Sequence, residues 1–205
     1  PAQSPLSEEV HIARDILLAE QTGCRLHIAH LSTARGLGLL RWAKSRGLPV
    51  TAEVTPHHFS LSVDDMPGPD PDFKMNPPLR SPEDVRSLLE GLSRGDIDAI
   101  ATDHAPHAQE EKQQGFLQAP FGIVGLETAV PLIMDRLYHA GVMTLAQIVM
   151  ACAVRPAQIL EADPRSLAPG SAAHITVIDP SQETRVARDD FASRSRNTPF
   201  EGWRL

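Results

Sequence analysis

Three titratable side chains follow a short apolar run in the stretch "DAIATDHAPH", which extends from Asp98 to His107. Asp103, His104 and His107 lie within five residues of one another. Carboxylate and neutral imidazole groups bind divalent metals such as Zn²⁺, and both can transfer protons in catalysis. Burying such groups without a metal or a polar partner would cost several kcal/mol of desolvation. The stretch therefore predicts a catalytic or metal-binding site at the end of a buried strand.

Two other apolar runs also end in histidines. His30 closes "RLHIAH", while His57 and His58 follow "PVTAEVT". His30 and Asp103 are a sensible pair of zinc ligands, but two ligands are too few, so the others must come from outside these residues. A lone histidine at the end of a strand is more often a hydrogen-bonded structural residue than a ligand. We give that interpretation to the four remaining histidines, His11, His27, His139 and His174.

The elements that must position these side chains alternate between helix and strand. Ser7 is the predicted N-cap of the first helix and Gly23 its stop, while Ser81, Pro82 and Gly95 bound the third. The predicted strands are "RLHIAH", "PVTAEVT" and "DAIAT". The predicted helices are "SEEVHIARDILLAEQTG", "TARGLGLLRWAKSRG", "SPEDVRSLLEGLSRG", "LETAVPLIMDRLYHAG" and "TLAQIVMACAV", and the tail is expected to form short strands at "HITVIDP" and "ETRVA".

Alternation of helices with nearly continuous apolar strands indicates an α/β fold with a parallel sheet. An open doubly wound sheet and a (β/α)8 TIM-type barrel both fit this pattern. We favour the barrel, because polar groups follow all three strands and no glycine-rich phosphate loop follows any of them. Three strands cannot close a barrel of eight, and unpaired edges are unfavourable. We therefore expect the chain to be part of a longer polypeptide, or to be completed by another chain.

Composition excludes some classes of protein. The formal net charge of −7 argues against nucleic-acid binding, and no apolar run is long enough to span a membrane. Cys24 and Cys152 lack the spacing of a metal site. We interpret both as small, buried hydrophobic residues with free thiols. Free thiols are typical of a reducing compartment, so we predict a cytoplasmic protein.

Five motifs together resemble one known family. "HIAHLST", "AEVTPHHF", "KMNPPLRSPED", "DAIATDHAPHAQEEK" and "APFGIVGLET", in this order, are similar to the C-terminal portion of the class I bacterial dihydroorotases of the amidohydrolase superfamily. The resemblance covers nearly the whole chain. It implies that residues 1–160 are the last three strands and helices of a metal-dependent hydrolase barrel. It also implies that residues 161–205 are part of a small β-rich accessory domain.

The resemblance also implies roles for individual residues. His30 matches a histidine that binds one of two zinc ions, and Asp103 matches an aspartate that binds the other and acts as the catalytic acid/base. Asn76 and His107 match substrate-binding residues, His107 at the substrate carboxylate. Phe121 and Gly122 match residues whose backbone contacts the pyrimidine ring of the substrate.

The reaction so implied is the zinc-dependent, reversible conversion of N-carbamoyl-L-aspartate to L-dihydroorotate in pyrimidine biosynthesis. The family's other metal ligands, and the arginine and asparagine of its earlier substrate loops, are absent from these 205 residues. We therefore predict that the chain is inactive without the N-terminal half of the barrel. His57 and His58 are not assigned as ligands; a supporting role and pure packing stay open. Homodimerisation and association with aspartate transcarbamoylase also stay open.

Other functions compete with this one. A hydantoinase or allantoinase would also hydrolyse a cyclic amide with paired metals, although the presence of Asn76 and His107 favours a dihydroorotase. A non-catalytic dihydroorotase-like scaffold for aspartate transcarbamoylase could dispense with metal ligands, but His30 and Asp103 are both present. A plain binding module is the remaining alternative.

Overall fold

The computed structural model describes residues 3–163 and 166–205. In this part of the chain the strands are β1 (Leu26–Ile28), β2 (Val50–Val54) and β3 (Ala99–Ile100). The helices are α1 (Pro5–Thr22), α2 (Ala34–Ser45), α3 (Pro56–Ser60), α4 (Pro82–Arg94), α5 (Gln109–Lys112), α6 (Leu126–Ile133), α7 (Leu145–Val149) and α8 (Arg155–Ile159). Helix and strand alternate as far as β3, as the apolar pattern predicts.

The start of α1 differs from the prediction. Ser4, not Ser7, is the N-cap, and its hydroxyl oxygen accepts a hydrogen bond from the backbone N–H of Leu6 at 3.3 Å. Pro5 then takes the first helical position, where a missing N–H costs nothing. Gly23 ends the helix with a φ of 70°, as predicted.

Local capping also sets the ends of α4, and here the prediction is confirmed. The Ser81 hydroxyl accepts from the backbone N–H of Asp84, whose carboxylate accepts in return from the Ser81 N–H. Pro82 occupies the first position, and Gly95 ends the helix at a φ of 75°. This reciprocal arrangement satisfies backbone donors that the first turn leaves unpaired.

The three strands form one parallel sheet in the order β1-β2-β3. The paired residues are Leu26 with Val50, Ile28 with Ala52, Glu53 with Ala99 and Val54 with Ile100. Because all three strands run in the same direction, the residues that follow them emerge at one edge of the sheet. The sheet thus brings together the polar groups that the sequence distributes over distant segments.

Two hydrophobic clusters support this sheet and the loops beyond it. The first packs the helices against one face of the strands, with Ile28, Leu37, Val54, Leu88 and Leu137 among its buried members. The second lies under the loops, and its buried members include Leu61, Met75, Ile123, Val186 and Phe200. The second cluster therefore joins the loops after β2 and β3 to the C-terminal segment.

The helices after the sheet are irregular. α6 contains Pro131 in its interior and continues into a π-helical stretch over Met134–His139. α7 continues in the same way over Met150–Val154 and then into α8. An interior proline removes one helical hydrogen bond, which accounts for the local change of pitch in the first case.

The tail forms less β structure than the sequence predicts. Among the described residues after 165, β pairing is limited to one isolated antiparallel bridge between Arg185 and Arg204. Arg185 lies within the predicted strand "ETRVA". The prediction of a strand at "HITVIDP" is wrong, and its apolar side chains Ile175 and Val177 are exposed. A strand needs a neighbour for its backbone hydrogen bonds, and the described residues supply none there.

The prediction of buried cysteines is also wrong. Cys24 and Cys152 are both exposed and form no disulfide. Among residues 3–163 and 166–205, no helix is both long and apolar enough to cross a membrane.

Candidate active site

His30 lies just beyond β1 in an unusual environment. Its backbone is left-handed, with a φ of 40°, and its Nδ1 is buried with no hydrogen-bond partner among the described residues. A non-glycine residue held this way costs about 1–3 kcal/mol, and such residues concentrate at functional sites. His30 lines a cleft of about 260 Å³ together with Asn76, Pro77 and Arg80. Two of the predicted site residues, His30 and Asn76, are therefore neighbours.

Asp103 follows β3 and has the same kind of backbone, with a φ of 47°. Loss of hydration raises the pKa of its carboxyl group, a positive charge on His30 lowers it, and the Glu53 carboxylate raises it again; the net pKa lies above its ordinary value. These electrostatic interactions require His30 and Asp103 to be near each other. Because β1 and β3 run in the same direction, the two predicted ligands emerge at the same edge of the sheet, within electrostatic range of each other.

Glu53 and His27 form a polar network beside this edge, although neither is among the predicted site residues. His27 Nε2 lies 3.1 Å from a Glu53 carboxylate oxygen, and His27 Nδ1 lies 2.8 Å from the Thr51 hydroxyl. Val50, Ala52 and Val54 of β2 point into the core, so Thr51 and Glu53 lie on the opposite face. The alternation of apolar and polar residues along "VTAEV" was the sequence signal that could have placed Glu53 on this face. His27 itself has polar partners, as predicted.

His57 and His58 are buried in α3, within electrostatic range of His30. Their ring centroids are 4.4 Å apart. Burial, with a smaller contribution from the neighbouring positive charges, lowers the pKa of His57 well below its ordinary value, and burial lowers that of His58 to about 4. His58 contacts the Thr55 hydroxyl at 2.8 Å through Nδ1 and donates to the Pro77 carbonyl at 2.9 Å through Nε2. A neutral His58 thereby fixes the segment that carries Asn76.

Arg80 fixes the same segment from the other side. Its guanidinium is buried and donates to the Glu8 carboxylate at 3.0 Å and to the Ser32 hydroxyl at 3.0 Å. The Ser32 backbone N–H donates to the other Glu8 oxygen at 2.8 Å. This network connects α1, the loop after His30 and the loop after Asn76.

His107, Phe121 and Gly122 form a second group of predicted site residues. His107 Nε2 donates to the Phe121 carbonyl at 2.8 Å. The backbone of Gly122 has a φ of 124°, and a Cβ there would lie 2.4 Å from Ala105 Cβ. The loop therefore requires glycine at 122 to approach the "DHAPH" segment so closely.

Two buried lysines hold the loop that contains Phe121. Neither was identified from the sequence. Lys74 Nζ lies 4.6 Å from the centre of the Phe121 ring, and burial lowers the pKa of Lys112. Their backbone acceptors are the carbonyls of Leu117 and Ala119 for Lys74, and of Pro120 and Gly122 for Lys112. Hydrogen bonds to the loop carbonyls thus take the place of the water that each ammonium group loses on burial.

His104 has a structural role between the two predicted functional residues. Its Nδ1 accepts from the backbone N–H groups of Gly125 and Leu126, at 3.1 and 3.3 Å, at the start of α6. Its Nε2 lies 3.4 Å from the Ser193 hydroxyl. A ring nitrogen that accepts two N–H groups is not free to bind a metal, so His104 caps α6.

The residues present fit a partial metal site. The unpartnered Nδ1 of His30 and the carboxylate of Asp103 are groups that bind Zn²⁺, and they lie at one edge of the sheet. Among residues 3–163 and 166–205, no group of three or more histidine, cysteine, aspartate or glutamate side chains could hold a metal ion. Ligands from elsewhere are needed to complete such a site.

No family model matches the chain. Individual relatives do: the chain is 53% identical, over 197 residues, to a dihydroorotase from Geobacillus sp. (strain WCH70), covering 96% of this chain and 46% of the relative. The resemblance to the dihydroorotases is confirmed. The match is to their C-terminal portion, and the chain spans about half the length of the dihydroorotases it matches.

Solved structures support the fold. The L-hydantoinase (dihydropyrimidinase) from Arthrobacter aurescens superimposes with a TM-score of 0.94 and 32% identity, covering 99% of this chain and 46% of that one. An inactive dihydroorotase-like domain of a CAD-like multifunctional protein from Chaetomium thermophilum gives a TM-score of 0.69 at 24% identity, over 95% and 50% of the two chains. The α/β structure of this chain is thus similar, over nearly its whole length, to part of each of these proteins.

Proposed function

We propose that the chain is the C-terminal part of a dihydroorotase that reversibly converts N-carbamoyl-L-aspartate to L-dihydroorotate. The observation that carries this proposal is the position of His30 and Asp103 at the same edge of the parallel sheet, each in a left-handed backbone conformation. Sequence identity of 53% to a curated dihydroorotase supports the same substrate class.

The proposal includes a division of the chain. Residues 1–160 contribute the last three strands of a (β/α)8 barrel, and residues 161–205 contribute part of a β-rich accessory domain. Two observations support a missing N-terminal half. The chain covers only 46% of its relatives, and α1 exposes Leu6, Val10 and Leu17, each by more than half. Exposed apolar side chains on one helix are suited to contact with another part of a longer protein.

In the complete site, His30 and Asp103 would each hold one of two zinc ions. Such ions acidify water and polarise a carbonyl group. Asp103 accepts the proton of the attacking water and passes it to the leaving amide nitrogen.

Substrate contacts come from two sides. Asn76, in the cleft beside His30, donates hydrogen bonds to the substrate. His107 binds the substrate carboxylate, while the backbone of Phe121 and Gly122 contacts the ring. The hydrogen bond from His107 to the Phe121 carbonyl supports a common position for these groups. Fixed geometry of this kind lowers the entropic cost of reaching the transition state.

The test uses the full-length protein that contains this sequence. Metal content is measured by mass spectrometry, and turnover of dihydroorotate and of N-carbamoyl-L-aspartate is measured in both directions. We expect bound zinc and turnover in the wild type, and loss of turnover by about 10³-fold or more in Asp103→Asn. His174→Gln, at an exposed position in the tail, is the control and is expected to keep full activity. The 205-residue chain alone is expected to be inactive. A folded, full-length protein without zinc or turnover would instead support the non-catalytic scaffold for aspartate transcarbamoylase.

A hydantoinase is the second candidate, because the L-hydantoinase structure superimposes with a TM-score of 0.94. The two functions differ in the substrate carboxylate, which only dihydroorotate carries next to the ring. Comparison of kcat/KM for dihydroorotate and for an uncharged hydantoin separates them. Preference for the uncharged ring, with no effect of His107→Ala, would favour the hydantoinase.

A further inference from the structure

Asn197 connects the two loops that carry the proposed substrate contacts. Asn197 is buried, with only 5% of its surface exposed. The side-chain Nδ2 donates to the Ala105 carbonyl at 3.0 Å and to the Gly122 carbonyl at 3.1 Å. Its Oδ1 accepts from the His107 backbone N–H at 3.4 Å. Both amide hydrogens and the amide oxygen are thus used to join one loop to the other.

The surroundings of Asn197 strengthen this connection. Its own carbonyl accepts from the Val124 N–H at 2.9 Å. Ser195, two residues earlier, donates from its hydroxyl to the His107 carbonyl at 2.8 Å. The segment around Asn197 belongs to the described tail and reaches both loops across more than 70 residues of sequence. The tail therefore contacts both loops that carry the proposed substrate contacts.

We propose that Asn197 is a positioning residue that sets the distance between His107 and the ring-binding backbone at Gly122. This inference rests on the proposed function, because it takes its substrate contacts from there. Asn197 itself does not touch substrate. It acts by holding the Ala105–His107 segment against the Phe121–Gly122 turn.

The chemistry of the site explains why the residue is an asparagine. Two carbonyl oxygens require two N–H donors from one side chain, and one backbone N–H requires an acceptor on the same group. Aspartate has the same shape but, when ionised, only accepts hydrogen bonds, so its charge would face both carbonyls. Buried carbonyls left without a donor destabilise the arrangement of the two loops. The Gly122 carbonyl has a second donor in Lys112, whereas among the described residues the Ala105 carbonyl accepts from Asn197 alone.

The main experiment compares Asn197→Asp with Thr198→Val in the full-length protein. Thr198 is the buried neighbour, and among the described residues its hydroxyl accepts from the nearby Phe200 backbone N–H alone, at 3.3 Å. Both variants lose buried hydrogen bonds, but only the first loses those between the loops. We expect Asn197→Asp to raise KM for dihydroorotate about ten-fold or more with a smaller change in kcat, and Thr198→Val to leave KM unchanged. Equal KM values in the two variants would overturn the proposal.

Hydrogen–deuterium exchange provides a readout that does not depend on catalysis. We expect faster exchange in peptides covering residues 103–107 and 119–125 for Asn197→Asp than for Thr198→Val. If the wild type does not turn over dihydroorotate, the proposed function fails while the exchange result still decides the role of Asn197. Unchanged exchange in both loops would then contradict it. If Asn197→Asp does not fold, Asn197→Ser, which keeps one donor, is tested in the same way and is expected to give intermediate values.

Discussion

His30 and Asp103 follow different strands of the sheet, and both adopt a left-handed backbone, with φ of 40° and 47°. Histidine and aspartate tolerate this conformation better than most residues, but it still costs free energy. Their chain directions at these points are set by the strands that precede them and by the loops that follow. The protein therefore maintains two strained residues at one edge of the sheet, where the proposed metal ligands are required.

The strain at Asp103 predicts an unusual order of stability among its variants. Asp103→Gly should be more stable than Asp103→Ala by about 1–2 kcal/mol, because only glycine adopts a positive φ without a steric cost. Both should be inactive. Urea unfolding of the two variants in the presence of a chelator measures the difference without a contribution from bound metal. An alanine variant as stable as the glycine variant would show that Asp103 is not strained.

Gly122 offers a test of how closely its loop approaches the "DHAPH" segment. Gly122→Ala places a Cβ 2.4 Å from Ala105 Cβ, whereas Gly115→Ala meets no atom closer than 3.9 Å. Both glycines have a positive φ, 124° at Gly122 and 87° at Gly115, so alanine has a backbone cost at each position and the clash adds to that cost at Gly122. We expect Gly122→Ala to lower the free energy of unfolding by about 1–3 kcal/mol more than Gly115→Ala. Similar losses in thermal or urea unfolding would indicate that the loop can move aside.

Local signals predicted the supports of the site better than its interior. Ser81, Pro82 and Gly95 bound α4 as expected, because capping depends on a few adjacent residues. The parallel strands were predicted from apolar runs, and with them the common edge that brings His30 near Asp103. We could predict that these two residues lie near each other because the strands before them are parallel, and not because of their spacing in the sequence.

Residues whose partners are distant backbone groups could not be predicted in this way. Lys74 and Lys112 look like ordinary surface cations in the sequence, yet their ammonium groups bind carbonyls of one loop. Asn197 likewise shows its role only when two loops meet around it. At Ile175 the apolar alternation was real, but a strand also requires a neighbouring strand, which the described residues do not provide.

His58 predicts a loss of stability in mildly acidic solution. Burial lowers the pKa of His58 to about 4 in the folded protein, compared with an ordinary value of 6.5. Between these values the unfolded chain binds a proton that the folded chain does not. Stability from the neutral His58 is therefore complete above pH 6.5 and is lost as the pH falls towards 4, by up to about 3 kcal/mol.

Urea unfolding at pH 7, 6 and 5 measures this dependence. His58→Gln should be less stable than the wild type at pH 7, but its stability should change less with pH. His174→Gln, at an exposed position, should retain the wild-type slope. Parallel slopes for the His58 variant and the wild type would mean that other groups cause the acid sensitivity.

Breaking the buried ion pair between Arg80 and Glu8 should cost far more stability than breaking an ion pair on the surface. Arg80→Met removes the partner of a carboxylate whose side chain is only 13% exposed, and an unpaired buried charge costs about 3–5 kcal/mol. Arg94→Met breaks an exposed pair with Glu90 and should cost less than about 1 kcal/mol. Adding Glu8→Gln to Arg80→Met should restore part of the loss, because the isolated charge is then removed. If the double variant is no more stable than Arg80→Met in urea unfolding, packing of the Arg80 side chain, and not its charge, connects α1 to the segment that carries Asn76.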